Sequence, residues 1–186
     1  MTFDLDNLIT DCRALLKERA AASAVNEVVA RAVAEPAQVL KALGEPAKGE
    51  VQRLHVADDL TILNVIWTPR MTIMPHNHNM WAVIGVYGGR EDNIFWRRVK
   101  DAENGLIEAA GAKSMGPRDS RPLGDNIIHS VTNPTTRLTG AIHVYGGDFF
   151  AQERSEWDAL DLHEHPYDID KNMQLFVEGN AALEQS

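Results

Sequence analysis

The chain has a single cysteine, Cys12. No internal disulfide is possible, and no cluster of thiolates can hold a metal. Cys12 falls on the apolar stripe of a predicted helix, which makes it a buried small hydrophobe rather than a nucleophile. Basic residues are also in short supply: 18 Lys and Arg stand against 27 Asp and Glu, for a net charge of −9. Nucleic acid and anionic membrane both call for basic patches, so neither is expected as a partner. No apolar run reaches the ~20 residues of a membrane-spanning helix. The first dozen residues are acidic and lack the basic-then-apolar layout of a signal peptide. With no disulfide to protect, a reducing cytoplasm is the expected location. Repeats, low-complexity tracts and flexible linkers are missing too, and 186 residues suit one domain.

What is present divides into three stretches. Residues 3–19 place Leu5, Leu8, Ile9, Cys12, Leu15 and Leu16 at helical spacing, and residues 23–34 do the same with Val25, Val28, Val29 and Val33. Pro36 opens a third short helix that ends at Gly44. After Gly49 the pattern changes to short runs rich in β-branched and aromatic residues at 51–56, 60–67, 71–75, 80–87, 93–99, 106–115, 126–131 and 138–145. Turn residues separate the runs, and no helical period lies between them. The expected fold is therefore an antiparallel sandwich or barrel. From residue 155 the chain turns polar and acidic, and 168–183 can form a last helix that docks through Met173, Phe176 and Val177.

The chemistry lies in the histidines. His76 and His78 are two residues apart in MPHNHNMWAVIGVYGG, so on a strand they share one face and form half of a metal site. His129 and His143 lie on later strands, and in a barrel all four would be able to face inward. A second His-x-His pair, His163 and His165, sits in an acidic, turn-rich segment with no third ligand in view and is read as solvated loop.

These segments resemble the two motifs of the cupin superfamily. The His-x-His pair at 76 and 78 matches the first. Gly116, Pro122-Leu123-Gly124, His129 and Asn133 match the second, with two extra residues between Gly124 and His129. The resemblance covers roughly residues 50–147 and implies an all-β double-stranded β-helix, the cupin barrel. On this reading residues 1–48 are an N-terminal helical cap, 49–150 the metal-binding barrel and 151–186 a C-terminal extension of the same domain.

Many cupins carry a glutamate ligand where this chain has Ala82 or Val83. The implied ligand set is then His76, His78 and His129 alone, a pattern similar to the thiol dioxygenases, the cysteine dioxygenase type I-like family. Those enzymes also carry a Ser-x-His-x-Tyr strand. Here the matching residues are Ala141, His143 and Tyr145, with the serine missing and its place in the relay left open. The resemblance implies Fe(II) as cofactor and a small carboxylate-bearing thiol and O2 as substrates. It gives catalytic roles to Tyr145 and His143, with Arg53 as the carboxylate clamp and Trp81 as a pocket wall. His55, on the same face as Arg53, is a candidate for a supporting role. A monomer or homodimer is expected. Two alternatives stay open: a three-histidine cupin that cleaves a carbon–carbon bond of a diketone-like substrate, and a cupin that binds a metal or ligand without catalysis.

Overall fold

A computed structural model describes residues 3–185. Three helices come first: α1 (Leu5–Leu15), α2 (Ala21–Val33) and α3 (Pro36–Leu43). Asp4 caps α1 by accepting from the Asn7 N–H at 2.9 Å, and Pro36 opens α3. α2 starts two residues earlier than the sequence predicts. Its cap position is Ala20, which has no side chain to mark the boundary.

Eleven strands follow among the described residues: β1 (Glu50–Ala57), β2 (Leu60–Trp67), β3 (Thr72–Asn77), β4 (Ala82–Gly88), β5 (Glu91–Arg98), β6 (Ile107–Met115), β7 (Ser120–Leu123), β8 (Ile128–Thr132), β9 (Thr139–Tyr145), β10 (Ser155–Trp157) and β11 (Glu164–Pro166). The last helix is α4 (Ile169–Glu184), capped by Asp168.

The strands form two antiparallel sheets, β1-β2-β9-β4-β7 and β11-β10-β3-β8-β5-β6. From β2 to β9 the chain alternates between sheets except at the β5–β6 hairpin, which leaves β2-β9-β4-β7 facing β3-β8-β5-β6. That arrangement is a double-stranded β-helix. Among the described residues no helix is long and apolar enough to cross a membrane.

Side chains on β4 and β9 alternate between two cores. Ala82, Ile84, Val86, Ala141 and Tyr145 face the space between the sheets. Val83, Tyr87, Ile142 and Val144 face outward onto Cys12, Val25, Val29 and Val33 of the helices. Coverage on both faces explains why these strands read as continuous apolar runs. Each fully buried valine on α2 contributes about 1.5–3 kcal/mol. Cys12 is a core residue with its thiol pushed up to about 12, chiefly by burial and secondarily by the nearby Asp11 charge.

Three strands escape the sequence pattern. β7 contains Pro122, which fits only because β7 is the edge of its sheet. β10 and β11 have three residues each and extend the other sheet at its edge.

Candidate functional site

His76 and His129 are direct cross-strand partners on β3 and β8, so their rings meet with centroids 4.7 Å apart. His78 lies just beyond the end of β3, its ring centroid 5.0 Å from both His76 and His129. The turn that holds it is pinned by asparagines. Asn77 accepts from the Ser155 N–H and donates to Asn79, which adopts positive φ and donates to the Glu153 carbonyl.

One ligand atom from each of the three histidines lies within 4.8 Å of the other two. This is the one such cluster of His, Cys, Asp and Glu found among the described residues. His163 pairs instead with Asp161 at 3.3 Å, as expected for the solvated segment.

The donor set fits a divalent metal. His76 Nδ1 lies 2.9 Å from the Met74 carbonyl, so it carries the proton and Nε2 is left with a lone pair. His129 does the same at 2.7 Å from Asn93 Oδ1. Burial holds His76 down at about 4; the Met74 hydrogen bond opposes this and the Arg154 charge adds to it. Burial, and then the neighbouring imidazoles, push His78 and His129 well below the ordinary histidine range. All three are neutral at physiological pH, the form that ligates. Ala82 faces the interior and is fully buried, so β4 offers no acidic ligand.

Tyr145 borders the cluster, its ring 5.0 Å from His78, and its hydroxyl is 3.0 Å from His143 Nδ1. Burial raises its pKa, with Arg154 opposing, so the hydroxyl keeps its proton. The cavity beside these groups is about 40 Å³ and is otherwise lined by apolar residues including Val51, Leu63, Trp67 and Phe149. Asn172, Met173 and Phe176 of α4 close it, with Phe176 stacked on Trp67 at 5.7 Å.

Two expected substrate residues are not in the cavity. Arg53 is exposed on β1 with its guanidinium 3.8 Å over the Phe150 ring. Arg53 pairs with the inward-facing Leu63, but β1 is an edge strand, and at the rim the long side chain reaches water instead of turning in. Its neighbour Gln52 bonds Asn64. His55 does not line the cavity either. Trp81 lies against Gly146, lines a separate surface pocket with Asp58, Asp125 and Asp148, and packs on the helix side of the sheet. It precedes β4, one residue out of phase with the inward-facing Ala82.

Two residues that sequence reasoning missed lie behind the cavity-lining side chains, not in the lining itself. Arg154 is 8% exposed, sandwiched between the Phe149 and Tyr167 rings at 4.2 and 4.1 Å. Those rings pack on His78 and His76 respectively. Nη1 of Arg154 donates to the Phe149 and Gln152 carbonyls, whereas Nε and Nη2 are buried with no hydrogen-bond partner among the described residues. Glu91, fully buried on β5, accepts from Trp67 Nε1 at 3.0 Å, Asn93 Nδ2 at 3.0 Å and His143 Nε2 at 3.3 Å.

No family model matches the chain. Among solved structures it is similar to oxalate decarboxylase from Bacillus subtilis, with 15% identity over 51% of this chain and 22% of that one and a TM-score of 0.40. It is also similar to an RmlC-like cupin family protein with a double-stranded β-helix fold from Methanocaldococcus jannaschii, with 10% identity over 57% of this chain and 86% of that one and a TM-score of 0.45. A third likeness is to peruvianin-I, a cysteine peptidase from Thevetia peruviana latex, at 13% identity over 48% of this chain and 51% of that one, TM-score 0.39. The match thus spans about a fifth of the oxalate decarboxylase chain and half of peruvianin-I. The fold assignment rests on the strand order itself.

Proposed function

We propose that the chain is a metal-dependent dioxygenase that adds both atoms of O2 to the sulfur of a small carboxylate-bearing thiol, RSH + O2 → RSO2H. Arg154 carries the choice of substrate. A buried guanidinium with two free donors beside a neutral three-histidine cluster is costly unless an anion completes it. A carboxylate matches the two free N–H groups in a planar, bidentate pair.

The metal assigned to His76, His78 and His129 is Fe(II). When bound there it supplies open positions for a thiolate and for O2. The protein's own residues do the rest. Arg154 clamps the carboxylate and so fixes the distance from it to sulfur. Tyr145 is the polar group facing the ligand, and His143 holds its hydroxyl. Trp67, Phe149 and Phe176 exclude water. A cavity of about 40 Å³ suits a ligand of a few atoms. It lies well under the ~300 Å³ at which drug-sized sites begin, which disfavours a bulky diketone.

The test is anaerobic purification with metal analysis, followed by O2 uptake and sulfinate detection on cysteine, 3-mercaptopropionate, mercaptosuccinate and cysteamine. Uptake is expected with iron present and a thiol acid added. Iron-loaded protein that consumes no O2 with any of these thiols sinks the reading.

A further inference from the structure

Glu91 is a buried carboxylate in the cleft between the sheets, yet it lies outside the ligand cluster. It is the centre of a hydrogen-bonded chain that leaves the cluster at His129 and returns to it at Tyr145. His129 Nδ1 lies 2.7 Å from Asn93 Oδ1, and Asn93 Nδ2 lies 3.0 Å from Glu91 Oε1. On the other side, His143 Nε2 is 3.3 Å from Glu91 Oε2, and Tyr145 Oη is 3.0 Å from His143 Nδ1. Trp67, which can only donate, also points at Oε2. Burial alone would raise the Glu91 pKa. The N–H groups of His143, Asn93 and Trp67 outweigh it, and the net shift is downward.

An ionised carboxylate only accepts, and with a neutral His143 ring this fixes every proton along the chain. Asn93 must present its NH2 to Glu91 and therefore its oxygen to His129. His129 must then carry its proton on Nδ1, leaving Nε2 free for a metal. His143 must carry its proton on Nε2, so Nδ1 is bare and takes the Tyr145 hydroxyl proton. A serine in place of the carboxylate would impose none of this, because a hydroxyl donates or accepts equally well. β5 makes the arrangement possible, since Glu91 and Asn93 are two residues apart and share a face.

We propose that Glu91 is a positioning residue that sets the protons on both sides of the site: through Asn93 it holds His129 as an Nε2 ligand, and through His143 it aims the Tyr145 proton away from the cavity and its lone pairs into it. Tyr145 then offers an acceptor to whatever occupies the cavity. The ligand group beside it is one that carries a proton, such as an ammonium or a water. The His129 arm rests on the metal-site reading above, whereas the Tyr145 arm does not.

The experiment is 15N–1H NMR of the imidazole nitrogens in the metal-free full chain at neutral pH, with His143 and His129 assigned by single substitution. The expected result is a protonated Nε2 on His143 and a protonated Nδ1 on His129. A His143 ring protonated on Nδ1, alone or together with Nε2, overturns the proposal without any variant being made. Glu91→Gln is the second arm. Its amide cannot accept at both ends, so the His143 and His129 signals should lose their single-tautomer pattern; unchanged signals overturn the proposal. Zn(II) alone is the probe for the third arm. Glu91→Gln and Asn93→Ala should each weaken Zn(II) about 10–100-fold, and together no more than the worse single change. Fully multiplicative losses, or a parent chain that binds no Zn(II), overturn the His129 arm, and the latter also removes the metal-site reading. The His143 spectrum is read without metal or thiol and is unaffected by either failure.

Discussion

Replacing Arg154 by methionine separates the roles of charge and packing at the cavity. Methionine keeps an unbranched stem between the Phe149 and Tyr167 rings but removes the guanidinium. Truncating one partner of a buried, hydrogen-bonded charge pair costs about 2–5 kcal/mol. That corresponds to roughly a 30- to 4,000-fold loss in kcat/KM at 1.4 kcal/mol per tenfold. The loss applies to thiols whose carboxylate sits on Nε and Nη2. For cysteamine, which has no carboxylate, the same change removes no ligand contact, and kcat/KM should move by less than about tenfold. Stability should respond differently from activity. The substitution takes away the Nη1 bonds to the Phe149 and Gln152 carbonyls, but it also removes two buried donors that have no partner. These effects are each about 1–3 kcal/mol and oppose one another, so Tm should stay near the parent value or rise. The assay is initial-rate O2 uptake on 3-mercaptopropionate and cysteamine, with thermal unfolding of the same preparations. Equal losses on both thiols, accompanied by a large drop in Tm, would show Arg154 to be a structural residue and refute the clamp.

Other expectations follow from the same geometry. His129→Ala should reduce bound divalent metal from about one per chain to near zero, by elemental analysis, while far-UV circular dichroism is retained. The metal-free chain should lose stability as pH falls from about 6.5 to 4. His76 is neutral when folded down to about 4 but titrates near 6.5 when unfolded, so the unfolded state binds the extra proton in that window. His76 alone contributes a loss on the order of 3 kcal/mol, read as a falling urea midpoint, with no dependence from this group above pH 6.5. Gly85→Ala should lower Tm by an amount equivalent to about 1–3 kcal/mol, because a Cβ there would sit 2.4 Å from a Val29 methyl and lift α2 from the sheet.

The framework was legible because apolar patterning and motif spacing are local. β2 matches its predicted run at both ends, and the His-x-His pair and His129 converge as the cupin resemblance implies. Three failures have physical causes. The family resemblance points to Arg53 as the clamp, but Arg53 lies on an edge strand, where a long basic side chain turns to water when it can. Arg154 was invisible because Gln152-Glu153-Arg154-Ser155 has the composition of a solvated loop. Its burial comes from a turn organised by Asp148, which accepts from the Phe150 and Ala151 N–H groups. Glu91 was lost because Glu91-Asp92-Asn93 reads as a polar turn. The predicted strand began at 93, so the inward pair Glu91 and Asn93 around the outward Asp92 was never aligned. The open place left by Ala141 carried the one available signal. A relay lacking its outer member invites a search for a buried acid elsewhere, and a carboxylate inside a strand is the group to look for.

Ala82 and Glu91 together set the charge of the site. With Ala82 in the ligand position, the three imidazoles contribute nothing, and a divalent ion keeps its full 2+ charge. The acid lies further out, at Glu91, two hydrogen bonds from His129 by way of Asn93. Buried net charge is costly, and the ligand is what can neutralise it. On the proposed function, a thiol acid would bring two negative charges, the thiolate to the ion and the carboxylate to Arg154. On that reading the absent acidic ligand and the buried arginine, though 72 residues apart in sequence, favour the same property of the substrate.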